Sequence, residues 1–162
     1  MTRSRRAKRR RYSGSGRNEG LLDSNVIFSI CWSGKGKSRS FLLYELQKRG
    51  FFRIFASQLV HSEAGFNLKI RKPEGVPLFE ELMRETELVS DVSASTNRKE
   101  LLSLPDNDRI IFSTALFHGM DFFITGNTRD FKHLYHKKLL KTTVLTPAEV
   151  EKTRRMLEKG CR

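Results

Sequence analysis

The stretch LPDNDRIIFSTALFHGMDFFITGNTRDF, residues 104–131, decides how the rest of the chain is read. From Asp106 to His118 the residues Ile111, Phe112 and Ala115 recur at helical spacing, and Gly119 ends the helix. Asp121–Thr125 (DFFIT) is an apolar run of strand length, and Thr128–Tyr135 returns to helical spacing. Helix, buried strand and helix in succession are the unit of a parallel sheet covered by helices.

The same alternation continues on both sides of this segment. Gly20–Phe28 reads as a buried-strand run, and Ser40–Arg49 has helical spacing. Arg53–Ala56 is a short strand ending at Ser57, an N-cap for a helix running to about Ile70. Pro73 breaks that helix, Val76–Glu85 resumes one, Glu87–Val92 has strand character, and Thr96–Leu102 is a short helix. Thr143–Leu145 is a last strand, and Pro147 opens an amphipathic helix to about Lys159. There is no internal repeat.

Length and charge narrow the class. A chain of 162 residues with 38% apolar residues fits one globular domain with a sizeable core. No run of apolar residues is long enough to span a bilayer, and the basic N-terminus has no apolar segment behind it, so neither membrane nor secretion is expected. Cys31 and Cys161 form no disulfide or thiolate pattern, which fits a cytoplasmic setting. The net charge of +13 is unevenly placed: residues 1–17 carry eight basic residues and no acid, leaving 23 basic against 18 acidic residues in the remainder. Residues 1–19 are read as a disordered basic tail and 20–162 as the folded domain. The tail serves either as a solubilising leader or as an arm for RNA phosphates, because concentrated positive charge favours polyanions.

Three acids interrupt apolar patterns. Asp23 breaks the run Leu21-Leu22-Asp23-Ser24-Asn25-Val26-Ile27-Phe28. Glu63 falls in the stripe Leu59–Glu63–Phe66–Ile70, which follows one helix face, and Asp108 starts the face of Ile111, Phe112 and Ala115. A carboxylate aimed at a core needs a cation, either a basic side chain or a metal. Converging carboxylates repel one another unless a divalent ion neutralises them, and hard oxygen donors at a wet cleft suit Mg²⁺ or Mn²⁺. Each acid also has an ordinary reading: a cap at Asp23, a helix-edge salt bridge at Glu63, a helix-dipole partner at Asp108. Asn127 and Asp130 equally fit a capping pair, and Asp106 a helix start.

These segments resemble PIN-domain nucleases, in particular the VapC-like toxin branch of toxin–antitoxin pairs. The resemblance rests on LLDSNVIFS at 21–29, SQLVHSE at 57–63, residues 104–131 and VLTPAEV at 144–150. It implies an α/β three-layer α/β/α sandwich with a central parallel sheet, flavodoxin-like in outline. It implies that Asp23, Glu63 and Asp108 are catalytic metal ligands. The family's fourth acid stands at the position of Asn127 or of Asp130, and Asp130 is the acid in this chain. Ser24, Asn25, Thr125 and Asn127 then become supporting residues, and Lys35, Lys37, Arg39 and Arg129, with Lys69, Arg71 and Lys72, candidates for substrate phosphates. The implied activity is metal-dependent endoribonuclease cleavage of RNA by a toxin with an antitoxin partner, as a homodimer. The competing reading is a weak or inactive PIN scaffold that binds RNA or a protein, suggested by the amide at Asn127. DNA cleavage is disfavoured by the compact length. Two other signals fail. Gly34-Lys35-Gly36-Lys37-Ser38 lacks the glycine a P-loop needs where Cys31 stands, and His133 and His136 have no third zinc ligand at the required spacing.

Overall fold

A computed structural model describes residues 18–94 and 98–149, together with Lys152, Arg155 and Lys159. Strand β1 (Asn18–Leu22) leads into helix α1 (Ser24–Ser33) and, past a 3-10 turn, into α2 (Leu42–Lys48). β2 (Phe52–Ser57) is followed by α3 (Gln58–Arg71), α4 (Val76–Arg84) and β3 (Glu87–Val89). Next come α5 (Asp106–Phe117), β4 (Phe122–Ile124), the single turn α6 (Thr128–Phe131), β5 (Lys138–Leu139) and β6 (Thr142–Leu145).

The strands form one six-stranded sheet in the order β3-β2-β1-β4-β6-β5, parallel throughout except for the β5–β6 pair. This is the α/β sandwich that the alternating pattern and the resemblance implied. The first described strand, β1, lies in the middle of the sheet; the chain builds outward through β2 and β3, then crosses back to place β4 on the other side of β1. The order therefore reverses between β1 and β4, and in open parallel sheets the crevice at the carboxyl ends of such strands is where functional groups gather.

The core is held by residues whose spacing made them legible. Phe112 of α5 packs on Phe123 of β4 and Phe131 of α6, with ring centroids 5.2 and 5.8 Å away. All three rings are fully buried. Truncating a buried Phe of this kind to Ala typically costs about 3–5 kcal/mol. Ser57 caps α3 by accepting from the Val60 amide, and Gly119, at φ 65°, closes the α5–β4 turn in a conformation that favours glycine.

Four expectations are corrected. The run Gly20–Phe28 is not one strand: β1 stops at Leu22, and Asp23 caps α1 by accepting from the Ser24 amide, so the β-branched residues Val26 and Ile27 are helical. Tertiary packing and a local cap here override strand propensity. β1 also takes in Asn18 and Glu19, which composition assigned to the tail. The helix expected over Thr128–Tyr135 is one turn long, because Tyr135 leaves it to bridge Val144 of β6. Finally, the stripe Leu59–Glu63–Phe66–Ile70 is not the buried face of α3. Phe66 and Ile70 are each 63% exposed, while Val60, Ala64, Gly65 and Leu68 are buried. The small residues win because α3 packs closely on its neighbours: a Cβ on Gly65 would lie 3.1 Å from the Phe79 ring of α4. Of the helix expected over Thr96–Leu102, residues 95–97 lie outside the described residues and Lys99–Leu101 forms a 3-10 turn. Of the final helix, the described Lys152, Arg155 and Lys159 are helical and exposed.

Candidate active site

The carboxyl ends of β1 and β4 are tied together by backbone and side chains. The Asp23 amide donates to the Ile124 carbonyl at 2.9 Å, which sets the first residue after β1 against the end of β4. The Asp23 carboxylate, 1% exposed, accepts from the Ser24 amide (2.8 Å), the Thr125 hydroxyl (2.7 Å) and the Asn25 amide group (3.1 Å). Thr125 is itself fully buried, and its hydroxyl accepts from the Asn127 backbone amide at 3.1 Å. Asn25 completes the tie by accepting from the Gly126 amide at 2.7 Å. These three donors offset part of the cost of burying a carboxylate.

Glu63 is brought in from α3 and is held at both oxygens. The Ser24 hydroxyl donates to Oε2 at 2.9 Å, and the Asn107 amide of α5 donates to Oε1 at 2.8 Å. Asp108 follows Asn107 in the first turn of α5 and accepts from the Asn127 amide at 3.3 Å. The same Asn127 amide donates to Asp130 at 2.8 Å, while Asn127 Oδ1 accepts from the Asp130 backbone. The capping pair is therefore real, and it also places Asp130 beside Asp108. Ordinary capping and membership of the acid cluster coexist in one geometry.

Electrostatics tie Asp108 to the other three acids. Burial pushes the Asp108 carboxyl up to about 6, and the charges of Asp23, Asp130 and Glu63 push it the same way. Burial also raises Asp23, against the lowering effect of the Thr125 hydroxyl and the Ser24 amide, with Glu63 adding repulsion. Among the described residues, the hydrogen-bond partners of the four carboxylates are hydroxyls and amides, and no ion pair involves Asp23, Glu63, Asp108 or Asp130. The structure thus brings together the acids of the sequence analysis with Ser24, Asn25, Thr125 and Asn127. Asp106 stays outside, with a side chain 95% exposed and 3.8 Å from Arg109.

The basic candidates are less convergent. Lys35 is paired with Glu81 of α4, and Arg71 and Lys72 lie over aromatic rings. Lys37, Arg39, Lys69 and Arg129 are exposed. Arg39 precedes Ser40, which lines a cleft of about 520 Å³ together with Asn25, Ser29 and Asn127. His133 and His136 have separate partners, the Glu100 carbonyl and the Glu149 carboxylate. Asn107 was missed by the sequence reading. Its signal was its place between two acids in Asp106-Asn107-Asp108, but only the fold shows that it reaches Glu63.

No family model matches the chain, and no curated protein matches it. Among solved structures, VapBC2 from Rickettsia felis bound to a DNA fragment from their promoter is similar over 79% of this chain and 98% of that one, at 18% identity and a TM-score of 0.58. VapBC-1 from nontypeable Haemophilus influenzae is similar over 80% of this chain and 98% of that one, at 15% identity and a TM-score of 0.52. The chain has the VapC-like PIN fold.

Proposed function

We propose that this chain is a divalent-metal-dependent endoribonuclease that hydrolyses RNA phosphodiester bonds, and that it acts as the toxin of a toxin–antitoxin pair. The observation that carries the reading is that the charges of Asp23, Asp130 and Glu63 all act on Asp108, while the hydrogen-bond partners of the four acids among the described residues are neutral. Carboxylate oxygens of this kind suit Mg²⁺ or Mn²⁺. Among the described residues no group of three or more acidic, His or Cys side chains is arranged to hold a metal ion by itself, so water and substrate oxygens would have to complete the coordination. Asp23, Glu63, Asp108 and Asp130 would hold the ion, which supplies Lewis acidity toward a phosphate oxygen and acidifies water.

The protein's own part is positioning. Thr125, Asn25 and the Ser24 amide hold Asp23 in one orientation, so the charge is placed before substrate arrives. Ser24 and Asn107 fix both oxygens of Glu63. Asn127 ties Asp108 to Asp130 and takes part of their repulsion. In the reaction, water oxygen adds to phosphorus and the bond to the departing ribose oxygen breaks. Arg129, on the turn that carries Asp130, and Arg39, next to the cleft, are the cations best placed for flanking phosphates.

The partner reading has its own support. Phe66 and Ile70 form an exposed apolar stripe on α3 that water does not favour, and both related structures are VapBC assemblies. A small antitoxin and a second copy of the chain are the proposed partners. Among the described residues no helix is long and apolar enough to cross a membrane.

The test is RNA degradation by purified chain with Mg²⁺, Mn²⁺ or EDTA. Wild type should cleave only with metal, and Asp23→Asn should lower the rate by about a thousandfold, as removal of a main charge-stabilising group does. Equal rates in the two proteins would defeat the nuclease reading. The amide at Asn127 favours a second reading, a non-cleaving scaffold. That reading is supported if RNA binds but no metal at any concentration yields cleavage.

A further inference from the structure

Helix α1 borders two clefts. The first, beside the acids, includes Asn25 and Ser29 in its wall. The second, of about 310 Å³, is lined by Phe28, Ser29, Trp32, Ser33 and Arg71. Ser29 belongs to both walls, so the two clefts adjoin along the helix. From Asn25 to Trp32 the distance along the axis is about 10 Å, at roughly 1.5 Å per residue.

The second cleft has an unusual make-up. Trp32 is 44% exposed, and its ring lies 5.6 Å from that of Phe28. The Arg71 guanidinium sits 5.6 Å from the Phe28 ring centre, and Lys72 Nζ sits 4.8 Å from that of Trp32. No ion pair among the described residues takes up either cation. The cleft therefore offers a partly exposed indole, two cations resting against the rings without an acidic partner among the described residues, and hydroxyl-bearing walls. An amphipathic peptide helix would want an apolar trough; serines and cations flank these rings instead. Flat bases with phosphates at their edges match the pattern, since base–aromatic stacking beside cationic groups is how single strands are held.

We propose that this second cleft is a stacking platform for single-stranded RNA leaving the acid cleft, with a base on Trp32 and phosphates at Arg71 and Lys72. The span along α1 corresponds to about three nucleotides at the roughly 3.4 Å rise of a stacked strand. The inference rests on the nuclease reading only in taking RNA as the ligand.

Trp32 is the chain's only tryptophan, so its emission reports on the platform alone. The full chain in EDTA, where metal-dependent cleavage is silent, is titrated with a 12-nucleotide adenosine RNA. Expected are quenching of Trp32 and reduced access of acrylamide to it. By anisotropy of labelled RNA, Trp32→Ala should weaken binding by about tenfold, and Trp32→Tyr, which keeps an aromatic face, should restore most of it. Arg71→Ala and Lys72→Ala should each lower the salt slope of binding by about one. RNA that binds without changing Trp32 emission, with Trp32→Ala binding as tightly as wild type, would overturn the platform. So would loss of acrylamide access on raising protein concentration without RNA, which would put a second copy there. Quenching by a chain that cleaves nothing removes the nuclease reading alone; cleavage without quenching removes the platform alone.

Discussion

The two ends of helix α1 hold charge in opposite ways. At its start, Asp23 is buried and fixed by three donors, and the charges around it are negative and unneutralised. At its far end, Phe28 and Trp32 are partly open, and the nearby charges are positive and rest on ring faces. The first arrangement is preorganised and strains the fold, because like charges are held together before any cation arrives. The second strains nothing and contributes little until a ligand comes. The helix keeps the two ends about 14 Å apart, nine residues at roughly 1.5 Å each.

This contrast predicts that the acidic end responds strongly to perturbation and the aromatic end weakly. The largest effect should come from metal itself. Mg²⁺ at a hundred times its Kd should stabilise the wild-type fold by about 2.7 kcal/mol, and Asp23→Asn should lose most of that gain in thermal melts. Next, Thr125→Val should destabilise the fold by about 1–3 kcal/mol in urea titration, because Asp23 would stay buried without its shortest donor. Asp108→Asn should act in the other direction. The Asp108 pKa rises from 3.8 to about 6 on folding, so the folded chain binds the proton more tightly and stability in EDTA falls as pH climbs through that window. Removing that charge should raise stability at pH 7 by about 1 kcal/mol, discounted for its half-exposed position. The slope between pH 4 and 6 should flatten in the same variant, as followed by melting at each pH. At the other end of α1, Trp32→Ala should change stability by less than about 1 kcal/mol, since the residue is 44% exposed and outside the buried core. A loss comparable to that of Thr125→Val would mean the two ends are not as different as their burial suggests.

Much of the fold was legible in the chain because its signals are local. Ser57 caps α3, Pro73 ends it, Gly119 closes α5, and the apolar face of Ile111, Phe112 and Ala115 is the one that packs. The misreadings all came where a neighbour overrode a local preference. Val26 and Ile27 look like strand residues, yet the cap at Asp23 and packing inside the core make them helical. Phe66 and Ile70 look like core, yet Ala64 and Gly65 allow the closer approach of α3 to its neighbours, and the larger side chains face out. The two-residue β5 carries no period to detect and depends on a reversal at Leu140, whose φ is 52°.

The acids themselves could be named from residue type and spacing, because a carboxylate in an apolar pattern is anomalous wherever the chain goes. The polymer alone therefore determined the alternation of strands and helices and the identity of the charged residues. Only the tertiary structure decided that β1 and β4 lie side by side, that Asn107 reaches Glu63, and that one amide of Asn127 serves both Asp108 and Asp130. Periodicity reports which face of an element is apolar; it carries no information about what meets that face, since hydrogen bonds spanning 19 to 102 residues are fixed by packing and not by local preference.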